Sequence, residues 1–130
     1  MNCKSLNNKK IWQIGELKQR VIDLLKINFK VCPIYIGDDN IEHIKSEHPH
    51  AYARYGADIK DILENPKYVS QHPICDDDSI HYIKIYTQSN DYVKVVVKPT
   101  KAGKLFVKSM FIIDKQNIYQ YWTRHVFKTY

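Results

Sequence analysis

Glycine is scarce in this chain, with four among 130 residues, and that scarcity excludes whole classes of site. A phosphate-cradling loop needs clustered glycines before a lysine, and a dinucleotide turn needs G-x-G-x-x-G. Neither pattern occurs, and G-x-S-x-G is missing too. Cysteine is equally sparse. Cys3, Cys32 and Cys75 are odd in number and widely spaced, with no C-x-x-C pair, which argues against a zinc ribbon or knuckle. A reducing compartment is the simplest reading of them. No apolar run approaches the ~20 residues that a spanning helix needs. The polar opening, Met1 to Lys10, lacks the apolar stretch of a secretory leader and is expected to be frayed. A cytoplasmic location is therefore expected, unless other machinery carries the protein elsewhere. Internal repeats and low-complexity linkers are absent, and the length fits one domain over residues 1–130.

What is abundant is positive charge. Twenty basic against 14 acidic residues give a net charge of +6, a balance that favours a polyanionic partner such as nucleic acid. Hydrophobic residues, at 44%, suffice for a core.

Ile14, Leu17, Val21, Leu24, Leu25 and Ile27–Phe29 fall near helical spacing, so an amphipathic helix is predicted over 14–29. The segment Val31–Ile36 contains Pro33 and reads as a short edge strand, because proline cannot serve a central ladder. Gly37-Asp38-Asp39-Asn40 is a turn in which Asp39 or Asn40 can cap a second helix. Ile41, Ile44 and His48 share one face of that helix, and Pro49 ends it or lies just beyond. A third helix over about 57–63 buries Ile59, Ile62 and Leu63 and stops at Asn65-Pro66. The period then changes to two. Strands are predicted over 68–72, 80–87, 92–98 and 104–113, with hairpins at residues 88–91 and 99–103. Residues 116–130 suit a helix or a strand. Helices first and a meander second give an α+β fold, with N-terminal helices packed on a roughly four-stranded antiparallel sheet.

Simple alternation divides the strands into faces. Ile83, Ile85, Val93, Val95, Val97, Leu105, Val107, Phe111 and Ile113 form an apolar set that should meet the helices. The opposite set holds Tyr82, Lys84, Tyr86, Tyr92, Lys94, Lys98, Lys104, Phe106, Lys108 and Met110. Lysines neutralise phosphates and flat rings stack on unpaired bases, so this second face suits single-stranded RNA. The bland alternative is a solvated sheet face. A β-bulge would reverse the assignment beyond it.

His43, Glu47, His48 and His50 crowd into eight residues. H-E-x-x-H is absent, and His43-Ile-Lys-Ser-Glu47-His48 is one residue too long for H-x-x-E-H. No metal is expected. His48 suits acid–base work, since imidazole exchanges a proton near neutrality. It stands at a helix end from which it can reach a neighbouring sheet. His72 and His125 read as surface or packing residues, and His81 as a hydrogen-bonded boundary residue.

Several segments then form one continuous pattern: Ile34-Tyr35-Ile36, His43-Ile44-Lys45-Ser46-Glu47-His48-Pro49, Ile59-Lys60-Asp61-Ile62-Leu63-Glu64-Asn65-Pro66, Ser79-Ile80-His81-Tyr82-Ile83-Lys84, Val93-Lys94-Val95-Val96-Val97-Lys98 and Leu105-Phe106-Val107-Lys108-Ser109-Met110-Phe111. Over about residues 31–115 it resembles the phage-associated members of the barnase–EndoU–colicin–RelE (BECR) class of ribonucleases. The resemblance implies helices on a four-stranded antiparallel sheet and RNA cleavage without metal or other cofactor. In that reaction the 2′-hydroxyl attacks the adjacent phosphate, leaving a 2′,3′-cyclic phosphate and a 5′-hydroxyl. It also implies catalytic roles for His48, His43, Lys84 and Ser109, with Ser109 standing where the family pattern usually shows threonine. Alternation puts Ser109 on the core face, opposite Lys84, unless a bulge intervenes.

The expected protein is thus an endoribonuclease, a toxin or phage effector, with Tyr82, Tyr86, Tyr92, Lys94, Lys98 and Lys108 binding RNA. An acidic inhibitor or immunity protein is its expected partner, since a cytosolic nuclease endangers its host. No membrane association is expected. The alternative from a different class is a non-catalytic RNA-binding module that uses the same face, and a third is a protein-interaction domain.

Overall fold

The computed structural model describes residues 9–74 and 77–130; Cys3, Cys75 and most of the expected frayed opening lie outside them. Thirteen elements follow in order: β1 (Ile11–Leu17), α1 (Gln19–Leu25), β2 (Cys32–Gly37), α2 (Asp38–Glu47), α3 (Pro49–Tyr55), a 3₁₀ turn (Gly56–Asp58), α4 (Ile59–Glu64), β3 (Tyr68–Ser70), β4 (Ile80–Tyr86), β5 (Asp91–Pro99), β6 (Leu105–Ile112), α5 (Lys115–Thr123) and β7 (Lys128–Thr129). The fold is α+β, but its sheet has seven strands, not four, in the order β1-β2-β6-β5-β4-β3-β7. Among the described residues only β2 and β6 pair in parallel, through Ile34 with Leu105 and Tyr35 with Phe106.

Two expectations about the first half need correction. The predicted helix over 14–29 is a strand followed by a seven-residue helix that ends with Lys26 in the left-handed region (φ 54°). Leu17 and Val21 are buried in either reading, so periodicity could not separate them. β1 carries a bulge between Gln13 and Gly15, which breaks the strand's own alternation. Gly15 sits where an added Cβ would come within 3.1 Å of Leu63 Cδ1, so its bareness lets β1 lie close against α4. The second correction concerns β2, which is not an edge strand. β1 pairs along its length, and β6 meets it only at Ile34 and Tyr35, so Pro33 escapes the parallel ladder.

Helices α1–α4 cover one face of the sheet. Leu17, Val21, Ile34, Ile44, Ile59, Ile62 and Leu63 pack there on Ile80, Tyr82, Val93, Val95, Val97, Leu105, Val107 and Met110. A smaller cluster forms on the other face, where Ile83, Ile113 and Tyr121 of α5 meet Tyr68, Tyr92 and Phe127.

Strand phase differs from the simple assignment. The four-residue turn between β4 and β5 pairs Tyr86 with Asp91, so even positions of β4 face with odd positions of β5. Tyr82 opposes Val95 and Lys84 opposes Val93 on the helix-covered side, whereas Ile83 opposes Lys94 and His81 opposes Val96 on the other. Both faces of β4 are apolar enough that hydrophobicity could not choose between them. In β6, Val96 pairs with Ser109 and Val97 with Val107, which leaves Lys108 as the extra residue of a bulge. Beyond it the faces exchange. Ser109 and Phe111 join Val96 and Lys94 on the open side, and Met110 turns into the core.

Candidate active site

His48 belongs to two helices at once. Its N–H donates to Ile44 O (2.8 Å) at the end of α2, and its carbonyl accepts from Tyr52 N (3.0 Å) in α3. Pro49 is the first residue of α3, where its missing N–H is not needed. Asn40 Oδ1 accepts the Gly37 N–H (2.8 Å) and fixes the other end of α2. This rigid corner carries the imidazole onto the sheet, where it stacks on Phe111 with ring centroids 4.9 Å apart. A pocket of about 460 Å³ opens beside it, lined by Glu47, His48, His50, Phe111, Asp114 and Asn117 among others.

Lys94 reaches the same ring from β5. Its Nζ lies 4.3 Å from the Phe111 centroid and 5.2 Å from that of Tyr121. The imidazole and the ammonium cannot be further apart than the sum of 4.9 and 4.3 Å, about 9 Å. Lys94 is only 7% exposed, and burial pushes its pKa down to about 8, although Asp77 acts in the opposite direction. Among the described residues no carboxylate forms an ion pair with it.

A line of hydrogen bonds runs from Lys94 into the protein. Nζ donates to Tyr121 Oη (2.7 Å), which meets His81 Nδ1 at 2.7 Å; His81 Nε2 meets Ser79 Oγ at 3.1 Å, and Ser79 Oγ donates to Asp77. With a neutral imidazole between them, the two ends fix every proton, because ammonium can only donate and carboxylate only accept. Tyr121 therefore donates to His81 Nδ1, and His81 holds its proton on Nε2. Burial, with Lys94 and His72 nearby, holds His81 down at about 3 and so neutral. Burial pushes Asp77 up, but the hydroxyl and N–H of Ser79, with Lys98 and His72, outweigh it and keep the carboxyl below its usual range.

The remaining expected residues divide by face. Ser109 lies on the open side, two residues from Phe111, as the bulge requires. Lys98 and Lys108 line a second opening on that side with Asp77 and Asp78. Tyr92 is half-buried against Phe127, with centroids 6.4 Å apart. His43 is exposed on α2. Lys84, by contrast, ion-pairs with Asp61 of α4 on the helix-covered side. Two strand spacings of about 4.8 Å each separate its strand from Phe111, so Lys84 and His48 share no cleft. Tyr82 is wholly buried in the main core and Tyr86 packs on Tyr55 while donating to Asp58 (2.8 Å); neither ring is open to a base from the cationic face. The face assignment that placed them there had β4 out of phase.

Sequence reasoning missed Phe111, Tyr121, Ser79 and Asp77, and gave His81 too small a part. One signal was available: Asp77, Ser79 and His81 alternate, which puts three polar groups on one side of an extended segment. Among the described residues no group of three or more His, Cys, Asp or Glu is placed to hold a metal ion, and no helix is long and apolar enough to cross a membrane.

The profile of a family described as phage-Barnase-EndoU-ColicinE5/D-RelE like nuclease3 matches residues 12–120. No curated protein and no solved structure matches the chain. The matched region runs from β1 into α5 and takes in His48, Ser79, His81, Lys94, Ser109 and Phe111. With most of its length inside that profile, the chain belongs to this family of phage-associated BECR-like nucleases.

Proposed function

We propose that this protein is a metal-independent endoribonuclease. The 2′-oxygen of a ribose bonds to the adjacent phosphorus as its proton passes to His48, and the bond from phosphorus to the 5′-oxygen breaks. The products are a 2′,3′-cyclic phosphate and a 5′-hydroxyl. The observation that carries the reading is the meeting of His48 and Lys94 on Phe111. The two lie within about 9 Å of each other about that ring, which is of the order of one phosphate with a hydrogen bond on each side. Ser109 has a hydroxyl for a phosphate oxygen on the same face. Lys98 and Lys108 supply cationic charge along the approach. Glu47 and Asp114 share the rim of the His48 pocket, so attraction for a phosphate comes from the sheet lysines and not from the pocket wall.

The test is cleavage of total RNA in EDTA with analysis of the product ends. Cyclic phosphates are expected, and His48→Ala should slow cleavage by on the order of 10²-fold or more while the melting transition persists. Cleavage that vanishes on chelation would sink the metal-free scheme. Intact RNA with a salt-dependent gel shift would leave a binding module in its place.

A nuclease of this kind endangers the cell that makes it. With its net charge of +6, its proposed second partner is an acidic inhibitor protein, and a toxin or phage-effector role follows. Their association should weaken as salt rises; an inhibitor indifferent to salt would contradict the electrostatic part of the proposal.

A further inference from the structure

Lys94 is an unusual residue to find in the middle of a sheet. It interrupts the run Val93–Val97 in β5, a strand with neighbours on both sides. A buried ammonium without a carboxylate costs stability, so its retention points to use. Only one of its three N–H groups has a protein hydrogen-bond acceptor among the described residues, the Tyr121 hydroxyl. Lys94 Nζ otherwise meets the rings of Phe111, at 4.3 Å, and Tyr121, at 5.2 Å, and His48 stacks on the same Phe111. Behind it, the line through Tyr121, His81 and Ser79 to Asp77 holds each donor and acceptor in one direction. Tyr121 lies just beyond the matched stretch 12–120, so this line depends on a residue outside the family profile.

We propose that Lys94 is the proton donor to the leaving 5′-oxygen, and that Tyr121, His81, Ser79 and Asp77 are positioning residues that hold its ammonium beside the Phe111 ring that His48 also contacts. The inference rests on the ribonuclease reading above. As the bond from phosphorus to the 5′-oxygen breaks, a proton passes from Lys94 Nζ to that oxygen, while His48 holds the proton of the 2′-hydroxyl. One proton is taken and one given, and exchange with water restores both groups. The charged and titratable groups around Lys94 are Asp77 and His81 from the β3–β4 side, Tyr121 from α5, and His48 across Phe111, while His72 and Lys98 act on His81 behind it. A buried ammonium whose pKa falls near 8 gives up its proton more readily than a solvated one.

The experiment uses the full chain and two readouts. The ¹³Cε shift of Lys94 is titrated by NMR in the wild type and in Tyr121→Phe, and kcat/KM for an RNA oligonucleotide is measured across pH. Loss of the hydroxyl removes an acceptor from the ammonium, so the Lys94 midpoint should fall by about one pH unit. The alkaline limb of kcat/KM should fall with it, while the acid limb stays. Lys94→Arg, which keeps the charge but cannot release a proton, should lose on the order of 10²-fold in rate. This second variant keeps the question open to decision if Tyr121→Phe does not fold. A wild-type Lys94 that titrates in the ordinary lysine range would overturn the proposal. So would an alkaline limb unmoved when the NMR midpoint shifts, or a Lys94→Arg enzyme close to wild type. Those outcomes leave RNA cleavage intact; a wild type that cleaves no RNA would instead sink the ribonuclease reading.

Discussion

The imidazole of His48 lies flat on the ring of Phe111, at a centroid separation of 4.9 Å and an interplanar angle of 26°. A helix corner and a bulged strand are thereby held at a fixed distance. Phe111 reaches this position only because Lys108 adds one residue to β6. Without that extra residue the ring would point into the helix-covered core. Phe111→Leu keeps an apolar side chain but removes the flat surface that both His48 and Lys94 contact. Cleavage should fall roughly tenfold through loss of orientation. The fold should lose about 1 kcal/mol, the usual contribution of a stacked pair, and thermal melting beside the RNA assay checks both. A rate equal to wild type would show that the stack does not position the imidazole.

Lys84 offers the opposite case. Its ammonium donates to Asp61 on the helix-covered side, and the hydrogen bonds from Lys84 and Asn65 hold the Asp61 carboxyl below its ordinary 3.8. The partners' side chains are 28% and 48% exposed, so solvent screens the pair and its contribution is about 1 kcal/mol or less. Lys84→Met should therefore slow cleavage at least about tenfold less than His48→Ala does, since no general acid–base is lost. Its stability effect carries a definite sign with pH. The carboxyl is depressed in the folded state, so the pair stabilises above the ordinary carboxylate pKa. That contribution disappears as pH falls through the folded value of Asp61. Melting temperatures of variant and wild type should differ at neutral pH and converge in acid. A variant as inactive as His48→Ala would return Lys84 to the reaction.

Much of the fold was legible in the sequence because its signals are local. The stop at Asn65-Pro66 and the strands β4–β6 each follow from a few neighbouring residues, whereas the expected turn at Gly37–Asn40 is the end of β2 and the first turn of α2, with Gly37 and not Asp39 or Asn40 at the cap position. The end of α2 at His48 was legible for the same reason, but the helix that Pro49 begins was not, because proline after an apolar-periodic run reads as a stop. What could not be read was phase between elements. The β4–β5 register depends on how many residues form the turn, and Ile80, Tyr82, Ile83 and Ile85 make both faces of β4 apolar. Lys84 and Lys94 thus read as one surface when the sheet separates them. The bulge at Lys108 leaves no mark in hydrophobicity, because Val107, Met110 and Phe111 suit either alternation. β1 was hidden by Leu17 and Val21, which satisfy helical and extended spacing alike. Tyr121 was out of reach for another reason. Its hydroxyl meets His81 across 40 residues of sequence, and no short-range pattern announces such a pairing.

Acid should weaken this fold through His81 well above the range where carboxylates titrate. In the unfolded chain its imidazole takes a proton near the ordinary value of 6.5, whereas in the folded protein burial, with Lys94 and His72 nearby, holds it at about 3. Below 6.5 the unfolded state binds more protons than the native one, so stability falls as pH falls. The loss accumulates down to about 3, with a limiting slope of about 1.4 kcal/mol per pH unit for one proton. Asp77 adds a further loss only at lower pH, because its folded carboxyl is itself depressed below the usual 3.8. His81→Gln separates the two contributions. A glutamine can accept from Tyr121 and donate to Ser79, but it does not titrate. Chemical denaturation from pH 7.5 to 4.5 should show wild-type stability nearly level above 6.5 and dropping ever more steeply below it, with the variant's holding nearly level throughout. The cause is the proton and not the contacts, so the two curves should draw together as pH falls. Parallel curves would mean that His81 reaches solvent and charges in the native state, and the neutral, Nε2-protonated imidazole that links Tyr121 to Ser79 would then have to be abandoned.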